Sequence, residues 1–425
     1  MSIRQLILFS GAALVLSAGA QPSGSVQTTP VTLTQALQAA RNHPDIGLAR
    51  QAMAAARADI ASADHAPLPV FSAKTASIDL QNGVGAGSLG QKRIDKALGI
   101  DWTWERGNKR ALRTETAQRA ADAASFDVDD VQVQVLQATL AAFYDLMAAD
   151  QRLREMRGIE HSAAELARLA NRRVQAGDLS AQDAARTEIE AQRARADLQM
   201  AVRDQQRALA LLTQLAGAGL AGTLQADGAW PLPGDSALPG AELAAWVEGR
   251  PEVRAALARV QAAQGALDNA LALRKSDWTV GASLNHYPGI SNRMVELRVQ
   301  VPLQVGYAYE GEIGRAQAQQ AQAQQALDKV RRLAELDLRR LQQELASATQ
   351  RLASLDAGIL PRARQVAENA ELAYAKGALS LTDLLDARRT LRATVLDALS
   401  ARADHAKALG AWWLRTQPDT LLPAS

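Results

Sequence analysis

The chain states one structural plan twice. Pro44-Asp45-Ile46 returns as Pro251-Glu252-Val253, and Phe71 returns as Trp278, both at an offset of 207 residues. Gly177-Asp178-Leu179-Ser180 with Asp183 returns as Gly377-Ala378-Leu379-Ser380 with Asp383, at an offset of 200. Each copy reads short helix, strand, strand, very long helix, tight turn, long helix. A repeat of this size makes each half a structural unit of the same kind. Strand pairs carried on long polar rods are unlike ordinary globular domains, and that shape restricts what the chain can do.

The ends and the linker divide the chain. Arg4, the apolar run from Leu6 to Leu16 and the small residues Ser17-Ala18-Gly19-Ala20 read as a cleaved secretory signal over residues 1–20. The run is too short to span a bilayer. Residues 21–216 form the first repeat and 217–240 a Gly/Pro-rich linker. Residues 241–416 form the second repeat, and 417–425 a short tail. The chain has no cysteine, which excludes disulfides, thiolate metal sites and a lipid anchor on cysteine. Net charge is +2, with acids and bases interleaved along helices, so the charge suits solvated faces rather than nucleic acid. No later segment is apolar for long enough to make a spanning helix, so a membrane role must use β-strands.

Four segments have the period of strands, at about 70–81, 94–105, 277–287 and 293–304. Leu98, Ile100, Trp102 and Trp104 alternate with Gly99, Asp101, Thr103 and Glu105. Trp278, Val280, Ala282 and Leu284 alternate with Thr279, Gly281, Ser283 and Asn285, and Val295, Leu297, Val299, Val301 and Leu303 with Glu296, Arg298 and Gln300. Such alternation gives one apolar and one polar face. Flanked by long polar helices with no partner layer, the apolar face suits lipid and the polar face water. Trp102, Trp104, Trp278 and Tyr287 suit the membrane interfaces.

The rods are the second strong signal. From Lys109 to Ala176 a helix would reach on the order of 100 Å. In the second copy Leu338, Leu341, Leu345, Ala348, Leu352, Leu355 and Ile359 step by three and four, a coiled-coil seam. Pro361 falls inside that rod and should bend it or loosen one turn. Gly177 and Gly377 suit left-handed helix ends, and Ser180 with Asp183 and Ser380 with Asp383 suit capping boxes that restart a helix. The fold class is therefore mainly α with a small β part, internally duplicated, with long coiled-coil hairpins. About eight strands are needed for the smallest barrel, so four strands in lipid require oligomerisation, each chain giving one sector.

In these residues the chain resembles the TolC-like outer-membrane efflux channels over nearly all of its length after the signal. The resemblance rests on Asn-His-Pro-Asp-Ile (42–46) and its copy Gly-Arg-Pro-Glu-Val (249–253). It rests also on Trp104-Glu105-Arg106-Gly107-Asn108-Lys109-Arg110, on Val301-Pro302-Leu303 with Gly311-Glu312-Ile313, and on the Gly-x-Leu-Ser-x-x-Asp turns. The stretch from Glu105 to Arg113 is most similar to the outer-membrane components of cobalt–zinc–cadmium resistance pumps, although Asn108 stands where a second glycine is common. The resemblance implies a homotrimer with a twelve-stranded barrel in outer-membrane lipid and a twelve-helix periplasmic tunnel. It implies two partners, a periplasmic adaptor protein and an inner-membrane transporter.

The resemblance also implies site residues. Asp383 and Asp386 match aspartates that ring the constricted tunnel entrance, and Tyr374 matches a gate residue. The basic partner some members place beyond the glycine is Leu379 here, so that gate lock is not available. Gly177, Leu179, Ser180, Asp183, Gly377, Leu379 and Ser380 are the expected adaptor-docking residues at the hairpin tips. Trp102, Trp104, Trp278, Val295, Leu297, Val299 and Val301 are the expected lipid-facing residues. His43, His65, His161, His286 and His405 are scattered, so no metal site, cofactor or enzyme activity is expected. With no phosphate-binding glycine loop, energy must come from the partner pump. Rival readings are a duct for drugs or secreted polypeptides, or a soluble periplasmic coiled-coil scaffold.

Overall fold

A computed structural model describes residues 28–89, 91–217, 223–232 and 243–416. The expected signal segment, Gly90, most of the linker (with Gly219, Gly222, Pro233, Gly234 and Pro239) and the tail lie outside the described residues.

The first repeat runs β1 (Thr28–Val31), α1 (Leu33–Ala40), α2 (Pro44–Ala63), β2 (Val70–Ala76), β3 (Asp95–Trp104), α3 (Lys109–Gln175) and α4 (Ala181–Ala216). After β4 (Thr223–Ala226), the second runs α5 (Leu243–Gly249), α6 (Pro251–Ala272), β5 (Trp278–Tyr287), β6 (Ser291–Gln300), α7 (Glu310–Ala353), a π-helical segment (Ser354–Ile359), α8 (Leu360–Ala375) and α9 (Leu381–Thr416). The duplication is thus structural: α1–α2–β2–β3–α3–α4 matches α5–α6–β5–β6–α7/α8–α9. Local chemistry sets the boundaries. Thr32 caps α1 in a capping box with Gln35, and Pro44 and Pro251 open α2 and α6 at first-turn positions, where a missing N–H costs nothing.

The rods have the predicted length. α3 is continuous for 67 residues. Its counterpart is interrupted by six π-helical residues just ahead of Pro361. Proline donates no hydrogen bond and its ring crowds the preceding turn, and the wider turn relieves both. This corrects one detail of the predicted seam. Leu338, Leu341, Leu345, Leu352 and Leu355 are buried, but Ile359 is exposed and Leu360 takes the inward place. A π-turn inserts an extra residue, so the apolar register slips by one.

β2, β3, β5 and β6 form one four-stranded antiparallel sheet in that order. Its strands differ at their ends from the predicted ones. β2 stops at Ala76 rather than near residue 81, ahead of Ser77 in a left-handed conformation. β6 runs Ser291–Gln300, so Val301, expected in the strand, lies just beyond it. Pro302 follows and cannot donate to a ladder. Unanticipated is the parallel pairing of β1 with β4. Four residues each, one interrupted by Pro30, carry too little alternation to read as strands.

The apolar interior is strung along the rods as separate clusters. The largest gathers Leu37, Ile46, Leu136, Phe143, Leu146 and Leu212, and a second holds Val253, Leu338, Leu345, Leu409 and Trp412. The copies differ beneath this girdle. His43 caps α2 by accepting from the Asp45 N–H at 3.3 Å. Its counterpart Arg250 is buried and ion-paired to Glu252 at 2.5 Å and Asp337 at 2.9 Å. Burial alone would raise the Asp337 pKa, but hydrogen bonds from Arg340 and Arg250 hold it below the ordinary value.

Candidate channel site

The sheet has one apolar and one polar face, and the register shows it row by row. Phe71, Ile100, Ala282 and Leu297 form one row across the four strands, and Ser72, Gly99, Ser283 and Glu296 the next. Among the described residues, no helix covers the apolar side: Trp102 is 62 % exposed, Leu297 80 % and Val299 67 %. Trp104 and Trp278 meet edge to face at 6.1 Å at the end of the sheet that joins the helices. The predicted lipid-facing set Trp102, Trp104, Trp278, Val295, Leu297 and Val299 therefore lies on one exposed surface. A contiguous apolar face of this kind in a soluble chain would be an aggregation liability. Among the described residues, no strand pairs with the outer edges of β2 and β6.

The polar face carries a feature the sequence pattern did not flag. Asp101 and Arg298 lie on either side of β5 and pair with each other above Gly281. A Cβ at Gly281 would collide with the Asp101 carboxylate, so glycine here is a spatial requirement. Glu296 accepts from Asn285 Nδ2 at 2.9 Å on the same face.

Strands hand over to rods through a compact ionic joint. Gly107 and Asn108 both adopt positive φ (79° and 57°), and asparagine is among the few side chains that tolerate it, so Asn108 serves where glycine was expected. Lys109 is buried, 2.8 Å from Asp277 and donating to the Lys275 carbonyl at 2.8 Å. Arg113 grips Glu105 with two bonds of 2.5 and 3.0 Å.

At the far end, the two hairpin turns are near copies. Gly177 (φ 80°) donates to the Val174 carbonyl and Asp178 to that of Arg173; Gly377 (φ 74°) and Ala378 do the same to Tyr374 and Ala373. These are paired bonds of a Schellman motif. Ser180 accepts from the Asp183 N–H at 3.0 Å and Ser380 from that of Asp383 at 3.2 Å. Each aspartate then accepts from the serine hydroxyl at 2.7 Å, not from the serine N–H as a full capping box requires. Aspartate is a methylene shorter than the usual glutamate.

The docking and gate candidates cluster here. Gly177, Ser180, Gly377 and Ser380 are exposed, and Leu179 and Asp183 half-buried. Leu379 and Tyr374 pack on Leu381, Leu384 and Leu385, with Leu166 of α3 alongside. Asp383 and Asp386 are exposed one turn apart on α9, with Asp386 3.7 Å from Arg389. Sequence reasoning missed the contacts between the hairpins. Arg389 donates to Glu190 of α4 at 3.0 Å, Arg392 lies 3.1 Å from Asp197, and Arg186 donates to Thr382 at 3.1 Å. The signal available was the charge complementarity of α4 and α9, which is legible only once their pairing is known. Among the described residues, no cluster of His, Asp or Glu is placed to hold a metal, and no helix is long and apolar enough to cross a membrane.

The outer membrane efflux protein (OEP) family matches residues 36–218, which is the first repeat, and the second repeats its architecture. The likeness to this family therefore lies in the first repeat in sequence and extends to the second in architecture. The chain is 26 % identical to the cobalt-zinc-cadmium resistance protein CzcC of Cupriavidus metallidurans over 68 % of each chain. A membrane protein of Pseudomonas aeruginosa has the same fold, with TM-score 0.78 and 18 % identity over 90 % of both chains. So has the CmeC outer membrane channel of Campylobacter jejuni, with TM-score 0.75 and 14 % identity over 98 % of this chain and 94 % of that one. The first of these is described as a membrane protein and the second as an outer membrane channel.

Proposed function

We propose that three copies of the chain close their sheets into a twelve-stranded barrel and their rods into a tunnel, the passive exit duct of a tripartite pump. The observation that carries this reading is the sheet, apolar and exposed on one face, polar on the other, and open at both edges. Unpaired edge groups in lipid cost several kcal/mol each, and joining β6 of one copy to β2 of the next removes all such edges.

In this reading Leu179, Ser180 and Asp183 with Gly177, and Leu379 and Ser380 with Gly377, receive the periplasmic adaptor. Asp383 and Asp386, with Tyr374 behind them, form the constriction. Threefold repetition brings these acids into rings that favour cations. An inner-membrane transporter supplies the energy, and the chain performs no chemistry. Divalent metal cations are the cargo, a choice supported by the likeness to CzcC and the cation-attracting rings.

Two experiments test this. Alkaline carbonate should leave the protein in the membrane fraction as a trimer; release into the supernatant defeats the barrel. A deletion strain should become sensitive to zinc, cobalt or cadmium and be rescued by the wild-type gene, and less well by Asp383→Asn/Asp386→Asn, which should also lose cation preference in planar bilayers. Sensitivity to a drug panel alone assigns the duct to organic cargo.

A further inference from the structure

At the joint between sheet and rods, basic residues outnumber acidic ones. Six cations meet there: Arg106, Lys109, Arg110, Arg113, Arg274 and Lys275. Three acids answer them, and each is taken. Asp277 is held by Lys109 at 2.8 Å, Asp64 by Arg110 at 2.9 Å and Glu105 by Arg113 at 2.5 Å. From the neighbouring turn, Glu310 accepts from the Ala308 N–H and Glu312 from the Tyr307 hydroxyl. Among the described residues, Arg106, Arg274 and Lys275 are left without an acid, and all three are exposed.

Their setting fixes where they point. The Arg106 guanidinium lies over the Trp278 ring, 4.8 Å from its centroid, and Trp278 stands on the exposed apolar face beside Trp104. Lys275 runs along Gly107, where a Cβ would come within 2.9 Å of its Cδ. The strand-to-helix turn has left room for that lysine. Arg274 anchors by donating Nε to the Ala308 carbonyl at 3.3 Å, which leaves its terminal nitrogens outward. Aromatic rings with an apolar body sit at headgroup level, and a cation stacked on such a ring sits at the same depth.

We propose that this collar binds the headgroup phosphate of an anionic glycerophospholipid in the periplasmic leaflet. Arg106, Arg274 and Lys275 supply the charge, and Trp104 and Trp278 flank the acyl chains. The site rests on the proposed barrel, set in the outer membrane with its rods and the Trp104–Trp278 end of the sheet on the periplasmic side, and the test reads headgroup choice separately from membrane insertion. Full-length protein is placed in nanodiscs containing equal phosphatidylglycerol and phosphatidylcholine, then released and weighed with its retained lipids by native mass spectrometry. Wild type should retain phosphatidylglycerol in preference. Each cation removed should weaken that preference about fivefold, the effect of one basic residue near an anionic surface.

Arg106→Gln/Arg274→Gln/Lys275→Gln should abolish the preference. Arg274→Gln/Lys275→Gln, which spares the Arg106–Trp278 stack, should weaken it part-way. Lys74→Gln, at the opposite end of the sheet, should leave it intact. Circular dichroism of each variant, and its recovery in the discs, monitor folding and insertion independently. Equal retention of both lipids by wild type, or a preference untouched in the double and triple variants, overturns the proposal. So does loss of the preference on adding millimolar inorganic phosphate, because the collar would then be a site for a free anion.

Discussion

The two hairpin tips share a backbone and differ in what fills it. Both end one helix at a left-handed glycine and start the next at a serine cap, with matching bonds. Yet Ala181, Ala184 and Ala185 of the first stand where Leu381, Leu384 and Leu385 stand in the second. The second tip has its own apolar cluster, and Leu166 of the first hairpin packs into it. The rods differ in the same sense, since α3 is unbroken at His161 while the second copy carries Pro361 and its π-segment at the equivalent place. Duplication has kept the features that set length and direction, which are turns, caps and residue count. The packing has diverged, leaving the second hairpin both the better anchored at its tip and the more irregular along its rod.

The contrast between rods breaks most sharply at His161. This side chain is exposed, so His161→Pro changes the backbone and little else. It removes one helix bond and crowds the turn before it, at a cost of about 3 kcal/mol or more. Hydrogen exchange should accelerate over the preceding turn of α3. An unchanged exchange pattern would mean that any long rod here absorbs proline, and that Pro361 marks no special site.

Leu384 tests the contrast between tips. It is 2 % exposed, and Leu384→Ala imposes on the second tip the residue the first already has at Ala184. Truncation of a buried leucine costs about 2–5 kcal/mol. The loss should appear at both tips, because Leu166 shares the cluster. Limited proteolysis checks this, since cleavage confined to residues near 377 would show that the tips are independent. The glycines give a smaller and symmetrical effect. Gly177→Ala and Gly377→Ala both place a Cβ on a left-handed residue, costing roughly 1–2 kcal/mol each. Unequal losses in denaturant midpoint would show that the turns are less alike than their bonds.

How much of this was legible in the sequence follows the range of the forces. Turns, caps and the long rods depend on neighbours within about five positions, and Gly177, Ser180, Pro44 and Lys109 declared them. The sheet's two faces were legible in the alternation around Trp102 and Leu297. What escaped reading was set by distant partners or by register. Ile359 fits the leucine seam in a regular helix and faces outward only because Pro361 forces a wide turn. Val301 continues the alternation, but Pro302 cannot continue the ladder. β1 finds β4 across nearly 200 residues, and Gly281 looks like a weak point until Asp101 and Arg298 are seen to meet above it.

The smallest effect concerns what couples the tips. Glu190 of α4 is largely covered and faces two guanidinium groups of α9, Arg389 at 3.0 Å and Arg392 at 3.7 Å. Partly exposed pairs of this kind contribute about 0.2–1 kcal/mol each. Glu190→Gln keeps the shape and removes the charge, so global stability should fall by no more than about 1 kcal/mol. The local consequence should be larger than that figure suggests, because the change releases two guanidinium groups of the facing rod at once. Exchange should rise on the facing stretches of α4 and α9 and remain unchanged in the sheet. A double-mutant cycle with Arg389→Ala isolates the pair, since neighbouring sites fail to add when they share an interaction. A coupling near zero would leave the leucine cluster with Leu166, and the Arg392–Asp197 and Arg186–Thr382 contacts, as the links between hairpins. A measurable coupling would make the charge pair a further and weaker fastening, one that can loosen without disturbing either turn.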